Sequence, residues 1–468
     1  MSARILVVLA ASALAGLAAW PAFVTTREAQ ASAAPTPAPV LADYAQRDHL
    51  VAFYENAVRQ HPDQIVTRML ASQYLQRFRE NGDAGDLLRG EHAARASLAL
   101  QPRFNPGGEM TLASSLLSLH RFREALVHAE RAREIEPGNT AAVAQVASTE
   151  VELGWYDDAH RLLASGGTAE SIRATGRAAV SRSADKTLGA DVALSTAHAR
   201  YDEVNGNLAQ ARRSIDLAMI QTDSIIDSPA ESRAWFHFRA GELAWSAGDG
   251  GTAERGFREA LDIFPEYPRA LNGLARLYWG ERRWPDALDA AIRAAKRMPL
   301  PETLSYQADA QRALGDEAAA RATDDLITAI ARIGKAGALN DRALAIYFAE
   351  RGRDLGAHGR HFTEHGRRLD DAVAIARRDV AARDDVFAED TLAWALAQSG
   401  HWEQARIAAR KAVRRNTQDA RLQYHAGVIA MQCGDRAEAV RRLTTALDLN
   451  PRFHPVYADD ARRRLARL

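Results

Sequence analysis

Two stretches of the chain repeat the same order of apolar, small and polar residues without a gap. The first begins at Ala234 and reads AWFHFRAGELAWSAGDGGTAERGFREALDIFP, and the second begins at Pro268 and reads PRALNGLARLYWGERRWPDALDAAIRAAKRMP. The offset is 34 residues, so Ala253 matches Ala287, and each stretch ends in a proline. A fixed period of this length predicts stacked pairs of helices.

The same frame fits six more stretches of the chain. They begin at Pro106, Thr140, Val192, Pro301, Val386 and Ala420. Small residues fall where the two helices of a pair cross, which lets the helix axes approach closely. Gly400 and Gly434 fall between the two helices, where the end of a helix favours a residue with positive φ. Prolines that follow the second helix separate one pair from the next.

This pattern resembles the tetratricopeptide repeat, in which a large residue, Leu-Gly or Leu-Ala, a further small residue, Ala-Leu and Pro recur in order. The resemblance implies an all-α fold, a right-handed superhelix (α-solenoid) of stacked antiparallel pairs, and we expect about nine to eleven pairs. It also implies a non-enzymatic scaffold or adaptor that binds a protein or peptide through its concave groove.

The frame breaks in several places and divides the chain into segments. Residues 334–385 form a degenerate repeat, because FAERGRDL and FTEHGRRL within it are a partial duplication at an offset of 14 residues. The predicted segments are a signal peptide or anchor (1–31), a flexible linker (32–42), N-terminal repeats (43–165), an irregular or extra helix (166–191), central repeats (192–333), the degenerate repeat (334–385), and C-terminal repeats with a capping helix (386–468).

The beginning of the chain has the composition of a targeting segment. An uncharged, mostly apolar run extends from Ile5 to Trp20, and Ala29-Gln30-Ala31 has the pattern of a signal peptidase site. The alternative is an uncleaved membrane anchor, because the run through Val24 is about long enough to span a bilayer. Either interpretation predicts a bacterial extracytoplasmic protein, which is periplasmic or secreted, or anchored to the inner membrane through residues 5–24.

Composition and charge narrow the classes of function. Lys and Arg number 60 and so do Asp and Glu, so no net field favours nucleic acid, and we predict none as a partner. The single cysteine, Cys433, excludes an internal disulfide and a cysteine zinc cage, and we expect it to be a packed small side chain. The sequence contains neither a Gly-rich phosphate loop nor a Gly-x-Ser-x-Gly elbow. We therefore predict no cofactor and no enzymatic activity.

One motif offers an alternative function. HFTEH, at residues 361–365, has the H-x-x-E-H order of inverted zinc peptidases. His358, His361 and His365 fall on one narrow arc of a helix, with Glu364 beside them, and Glu438 lies far downstream where a third ligand is needed. The duplication gives Tyr347 and Arg351 at the positions equivalent to His361 and His365. We therefore predict a solvated turn without catalytic zinc, and keep a metal-binding or zinc-dependent protein as the alternative.

The candidate groove residues come from the resemblance. In tetratricopeptide repeats, the first helix of each pair lines the concave face at about its second, fifth, ninth and twelfth places. In this chain those places hold Trp235, Phe238, Glu242, Trp245, Arg269, Asn272, Arg276, Trp279, Phe387, Asp390, Trp394, Arg421 and Tyr424.

Aromatic residues and arginine dominate protein interfaces, so we expect a partner to dock around Trp245, Arg276 and Trp279. The alternative is that these tryptophans pack between neighbouring helices. The Lys and Asn that grip a C-terminal carboxylate in this family have no match here, which leaves extended peptides or folded proteins as partners. The identity of the partner does not follow from the sequence.

Overall fold

The computed structural model describes residues 43–166, 184–225, 227–333, 338–354 and 362–468, and every regular element in these ranges is helical. The α-helices are α1 (Arg47–Gln60), α2 (Gln64–Asn81), α3 (Ala84–Leu100), α4 (Pro106–Ser118), α5 (Phe122–Ile135), α6 (Thr140–Leu153), α7 (Tyr156–Gly166), α8 (Ala184–Val204), α9 (Leu208–Asp223), α10 (Ala230–Ser246), α11 (Gly250–Ile263), α12 (Pro268–Gly280), α13 (Trp284–Arg297), α14 (Pro301–Ala313), α15 (Glu317–Ile333), α16 (Asp341–Asp354), α17 (Phe362–Ala382), α18 (Val386–Gln398), α19 (Trp402–Ala412), α20 (Ala420–Gln432), α21 (Arg436–Leu449) and α22 (Tyr457–Leu465). Short 3-10 helices cover Asp43–Gln46 and Ala338–Asn340.

Helices α2 to α21 form ten successive pairs in the described ranges, from α2 with α3 to α20 with α21. The first helix of each pair is called the A helix and the second the B helix. Helix α1 precedes the first pair, and α22 packs on the last one. The prediction of an all-α solenoid of stacked antiparallel pairs is confirmed. In most pairs the second helix also packs against the first helix of the next pair, as expected when one pair cannot bury its own apolar face.

Local sequence explains both the helix ends and the close packing within a pair. The Asp385 carboxylate accepts the backbone N–H groups of Phe387 and Ala388 at 2.7 and 2.9 Å, which caps the start of α18. Where α10 crosses α11, a Cβ added to Gly256 would lie 2.9 Å from the carbonyl oxygen of His237. Only a residue without a side chain allows this approach of the two helices.

The superhelix also closes upon itself. The turn inside one helix pair packs on the loop that follows a later pair, and the two pairs are five repeats apart in the chain. At the α6–α7 turn, the carbonyl of Leu153 accepts the N–H of Asp384 at 3.2 Å. At the α10–α11 turn, the carbonyl of Trp245 accepts the side-chain amide of Asn450 at 2.8 Å. These contacts join one turn of the superhelix to the next.

Several predictions concern residues outside the described ranges. Residues 1–42 belong there, so the signal, anchor and linker predictions stay predictions. Residues 167–183, in the segment predicted to be irregular, also lie outside. None of the described helices combines the length and the hydropathy that crossing a bilayer requires.

Candidate functional site: a central cavity

The closure of the superhelix turns its concave face into the wall of a central cavity of about 410 Å³. The wall is formed mainly by the A helices α10, α12, α14, α16, α18 and α20. These helices present their inner faces because the B helices cover the outside of the array. The cavity has the size and the polar groups of a ligand site.

Most of the predicted groove residues line this cavity. Those that do are Phe238, Glu242, Trp245, Arg269, Asn272, Arg276, Trp279, Phe387, Asp390 and Arg421. Three others, Trp235, Trp394 and Tyr424, are not part of its wall. Trp394 is 2% exposed and stacks on His425, with 4.1 Å between ring centroids, while Tyr424 donates its hydroxyl to Asp460 at 2.7 Å. Their role as partner-binding residues stays a prediction.

The two tryptophans with the 34-residue offset form part of the wall with little exposed surface. Trp245 and Trp279 are 5% and 3% exposed. The Trp279 indole N–H donates to Asp309 at 2.9 Å, and its ring packs against Tyr306 and His454 with centroid distances of 5.0 and 4.5 Å. Such an indole contributes an apolar edge to the cavity and also holds neighbouring helices together.

Most charged groups of the wall are paired with one another. Arg200 lies 3.0 Å from Glu152 and 2.9 Å from Glu203. Arg342 lies 2.7 Å from Asp385, and Arg383, with its side chain 2% exposed, lies 3.3 Å from the same carboxylate. Because buried charges need such partners, these pairs satisfy the wall itself and leave little for a ligand.

Some charged groups of the wall have free bonding capacity, and besides Nη1 of Arg383, which is buried without a hydrogen bond to another described residue, three groups stand out. Arg276 has one ion-pair partner among the described residues, Glu242 at 3.7 Å. Arg421 makes no hydrogen bond or ion pair with another described side chain. Glu350 has an Oε1 atom that is buried without a hydrogen-bond partner in the described ranges, and Nε2 of His454 lies 3.9 Å from it.

Burial and charge shift the acidities of these groups. Burial raises the pKa of Glu350, against the opposing effect of the Arg421 charge. Burial alone would lower the pKa of Arg421, but Glu350, Tyr306, Glu302 and Asp419 outweigh it and hold that pKa above its usual value. The charges of Glu350 and Arg421 therefore act on each other, although no hydrogen bond or ion pair joins the two side chains.

Glu350 and Tyr306 also line the cavity, but the pattern of the sequence does not predict them as groove residues. Glu350 lies in the degenerate repeat, whose first helix was not aligned with the other A helices, so no groove position was assigned there. Tyr306 occupies a position of α14 beside the groove positions, and its hydroxyl donates to Glu302 at 2.7 Å. Glu350 becomes a candidate groove residue only when α16 is aligned with the other A helices.

The metal-binding alternative falls mostly outside the described residues. His358 and His361 lie outside them, and the side chains of Glu364 and His365 in α17 are likewise not described. No group of three metal-binding side chains occurs among the side chains that are described. Glu438 accepts from Arg442 at 2.7 Å. The prediction of no catalytic zinc stays a prediction.

Cys433 is half-buried, and its Sγ lies 3.6 Å from the carbonyl oxygen of Trp402. Burial, followed by the charge of Glu403, raises the pKa of its thiol. A thiol of raised pKa is a poor nucleophile, and its surroundings are those of a packed side chain.

No protein-family model matches the chain, and no curated protein matches it. Solved structures that resemble it include the APC/C hetero-tetramer Cut9–Hcn1 (TM-score 0.32, 13% identity, 90% of this chain and 93% of that one) and yeast Tom70 (TM-score 0.34, 14% identity, 86% and 96%). A third is a tetratricopeptide repeat protein from Parabacteroides merdae (TM-score 0.32, 15% identity, 59% and 98%). Likenesses this weak carry no argument about function. On its own helix pairs and their 34-residue period, the chain has the fold of a tetratricopeptide-repeat array.

Proposed function

We propose that this protein is a non-enzymatic scaffold or adaptor that holds a short peptide, or an extended segment of a partner protein, in the central cavity. The observation that carries this proposal is the cavity itself, which is lined by A helices and contains charged groups that the wall leaves free. Its volume of about 410 Å³ falls within the range of pockets for small ligands.

The closure of the array favours an extended ligand over a folded one. In an open superhelix a folded domain can reach the concave face. Here the connections between helices in one coil of the superhelix pack on the loops of the next coil and restrict that access. An extended chain is narrow enough to lie among Trp245, Trp279 and Tyr306, and its amide groups match the polar groups of the wall.

We also propose that the protein acts outside the cytoplasm of a bacterium. The support is the apolar run from Ile5 to Trp20 and the Ala29-Gln30-Ala31 pattern, which suit a signal segment. Expression of the full chain in a bacterium, followed by fractionation and mass spectrometry of its N-terminus, tests this. A protein that remains in the cytoplasm with its first residues intact contradicts the proposal.

A variant that fills the cavity tests peptide binding. Ser305 lies in the wall, and its hydroxyl donates to the carbonyl four residues earlier in α14. Ser72 makes the same type of bond in α2, outside the cavity. We expect the Ser305→Phe protein to lose the peptides that the unchanged protein selects from a random peptide library, and the Ser72→Phe protein to retain them.

Circular dichroism and thermal unfolding would first establish that both variants fold. Selection of the same peptides by the Ser305→Phe protein contradicts binding in the cavity. Failure of the unchanged protein to select any peptide contradicts the proposed function.

A further inference from the structure

Glu350 is the acidic group of the cavity that the protein itself satisfies least. It lies on the inner face of α16, and its Oε1 atom is buried without a hydrogen-bond partner among the described residues. The nitrogen atom Nε2 of His454 is 3.9 Å away. The Glu350 side chain as a whole is 24% exposed, but a buried carboxylate oxygen without a partner is costly, and a ligand that supplies a donor recovers that free energy.

The positive groups around Glu350 offset its burial only in part, because burial raises its pKa more than the charges of Arg421, His425 and Arg351 lower it. Arg351, the next residue of α16, is ion-paired with Asp309 of α14. Arg421, on α20, faces Glu350 without touching it and is also balanced by Glu302 and Asp419. His425 of α20 bonds to Asp390 at 3.0 Å.

The neighbouring His454 stays neutral, because burial and then the charges of Arg421, His425 and Arg351 hold its pKa well below the usual value. Its Nδ1 atom accepts the backbone N–H groups of Val456 and Tyr457 at 3.1 and 3.2 Å, which uses the lone pair that a proton would need. His454 therefore supplies no positive charge to Glu350 near neutral pH.

The charged groups of the cavity wall and their ion-pair partners are close to balance. Eight arginines line it, at positions 200, 239, 269, 276, 342, 351, 383 and 421. Six carboxylates line it as well, at positions 242, 302, 309, 350, 390 and 419. Four more, at positions 152, 203, 379 and 385, are ion-paired to those arginines. Arg312 is ion-paired to Asp309 in turn, so ten carboxylates stand against nine arginines. The charges are close to balance, and the ligand that Glu350 prefers depends on its local surroundings.

We propose that Glu350 binds the lysine or arginine side chain of the peptide that the cavity holds, with Arg421 donating to a carbonyl oxygen of the same peptide. This inference rests on the proposed function and adds the chemical class of the ligand. The ammonium or guanidinium group completes the hydrogen bonding of Oε1, and the carbonyl oxygen satisfies the guanidinium that the wall leaves free.

Binding of the cation is linked to the protonation of Glu350. Because the pKa of Glu350 in the empty cavity is raised above its usual value of 4.5, a fraction of the carboxyl groups is protonated at mildly acidic pH. A bound cation favours the ionised form, so the affinity for a cationic peptide rises as the pH rises through that pKa. A neutral peptide lacks this dependence.

Calorimetric titration of the full chain with three blocked tripeptides tests the inference. Each has alanine at both ends, and the central residue is lysine, glutamine or glutamate, so that only this side chain differs in charge. We expect the lysine peptide to bind about tenfold or more tightly than the glutamine peptide, and the glutamate peptide to bind most weakly. The Glu350→Gln protein should lose the preference for lysine and its pH dependence, and keep its affinity for the glutamine peptide.

The matched control is Glu403→Gln, an exposed carboxylate on α19 outside the cavity wall, which should bind all three peptides as the unchanged protein does. Equal binding of the three peptides, or an unchanged lysine preference in the Glu350→Gln protein, overturns the inference while the proposed function stands. If none of the three tripeptides binds, both the inference about Glu350 and the proposed function are contradicted for short peptides. If the Glu350→Gln protein does not fold, the preference and pH dependence of the unchanged protein decide.

Discussion

Trp279 lies where the cavity wall and the packing of the array meet. Its ring contacts Tyr306 and His454, and its N–H donates to Asp309. A residue that is 3% exposed in such surroundings stabilises the fold whether or not a ligand also touches its edge. The hypothesis of a partner docked at Trp279 therefore has to be tested with a substitution that preserves the packing.

Trp279→Ala should destabilise the protein by about 3–5 kcal/mol, because it removes a buried aromatic side chain and leaves a cavity. Trp279→Phe should cost less, since it keeps most of the apolar contact and loses only the bond to Asp309. Urea unfolding followed by circular dichroism measures both. An unchanged unfolding midpoint for Trp279→Ala would mean that the indole does not contribute to the core.

His454 should make stability depend on pH. Burial and the positive charges nearby hold its pKa well below 6.5, and this outweighs Glu350 at 3.9 Å. Because the folded pKa is depressed, the contribution of His454 is fully present above the unfolded pKa of 6.5 and is lost as the pH falls below it.

The stability of the unchanged protein should therefore fall by up to about 1.4 kcal/mol per pH unit below 6.5 relative to that of His454→Asn. Asparagine keeps an acceptor for the N–H groups that begin α22 but does not titrate. The comparison requires unfolding curves of both proteins between neutral and mildly acidic pH. If the free energy of unfolding of the two proteins changed with pH in the same way, His454 would not have the lowered pKa that this prediction requires.

At the scale of helices, the turns between A and B helices have two different duties. Gly248 and Gly434 occupy equivalent turns and have φ of 76° and 80°. A Cβ on Gly248 would lie 2.6 Å from the carbonyl oxygen of Leu449, but one on Gly434 meets no atom within 4 Å. The first glycine therefore serves both the turn and the closure of the superhelix, whereas the second serves the turn alone.

Gly434→Ala should cost about 1–2 kcal/mol, which is the cost of the left-handed conformation for a residue with a Cβ. Gly248→Ala should cost about 1–3 kcal/mol more, because the turn and the α21–α22 loop must also move apart. Thermal unfolding of the two variants side by side measures the difference. Equal losses would mean that the contact between the superhelical turns contributes nothing to stability.

At the scale of the whole molecule, a buried charged cluster joins distant parts of the array. Arg383, before α18, lies 3.5 Å from Glu152 of α6 and 2.8 Å from Asp379 of α17. Its guanidinium also lies 5.0 Å from the centre of the Phe122 ring at the start of α5. The cluster thus connects the second, third and eighth pairs across the closure.

Arg383→Ala removes one of the two arginines that pair with each of these buried carboxylates, since Arg200 and Arg342 remain, and should cost up to about 3–5 kcal/mol. The loss falls on the closure, so small-angle X-ray scattering should show a larger radius of gyration while circular dichroism still reports helices. Arg406→Ala, which removes an exposed cation on α19, is the control and should leave both measurements nearly unchanged. An unchanged radius for Arg383→Ala would show that other contacts suffice to close the array.

The pattern of the sequence predicted the elements of this fold well. The 34-residue period identified the helix pairs that begin at Pro106, Thr140, Pro268 and Pro301, because small residues at helix crossings and glycines at turns are local requirements. It also identified ten residues of the cavity wall from their places in the first helices. It missed Glu350, because the degenerate repeat that contains it departs from the pattern.

The sequence by itself therefore determined the helices, their pairing and, in the repeats that follow the 34-residue pattern, the face that the A helix turns inward, since these depend on residues close together in the chain. Only the tertiary structure decided that the concave face is enclosed, because closure depends on contacts such as that of Trp245 with Asn450, 205 residues apart. It also decided which charges are satisfied. Arg383 and Arg421 both line the cavity, but only Arg383 forms an ion pair with a described side chain, because the packing of distant helices brings Asp379 within 2.8 Å of it.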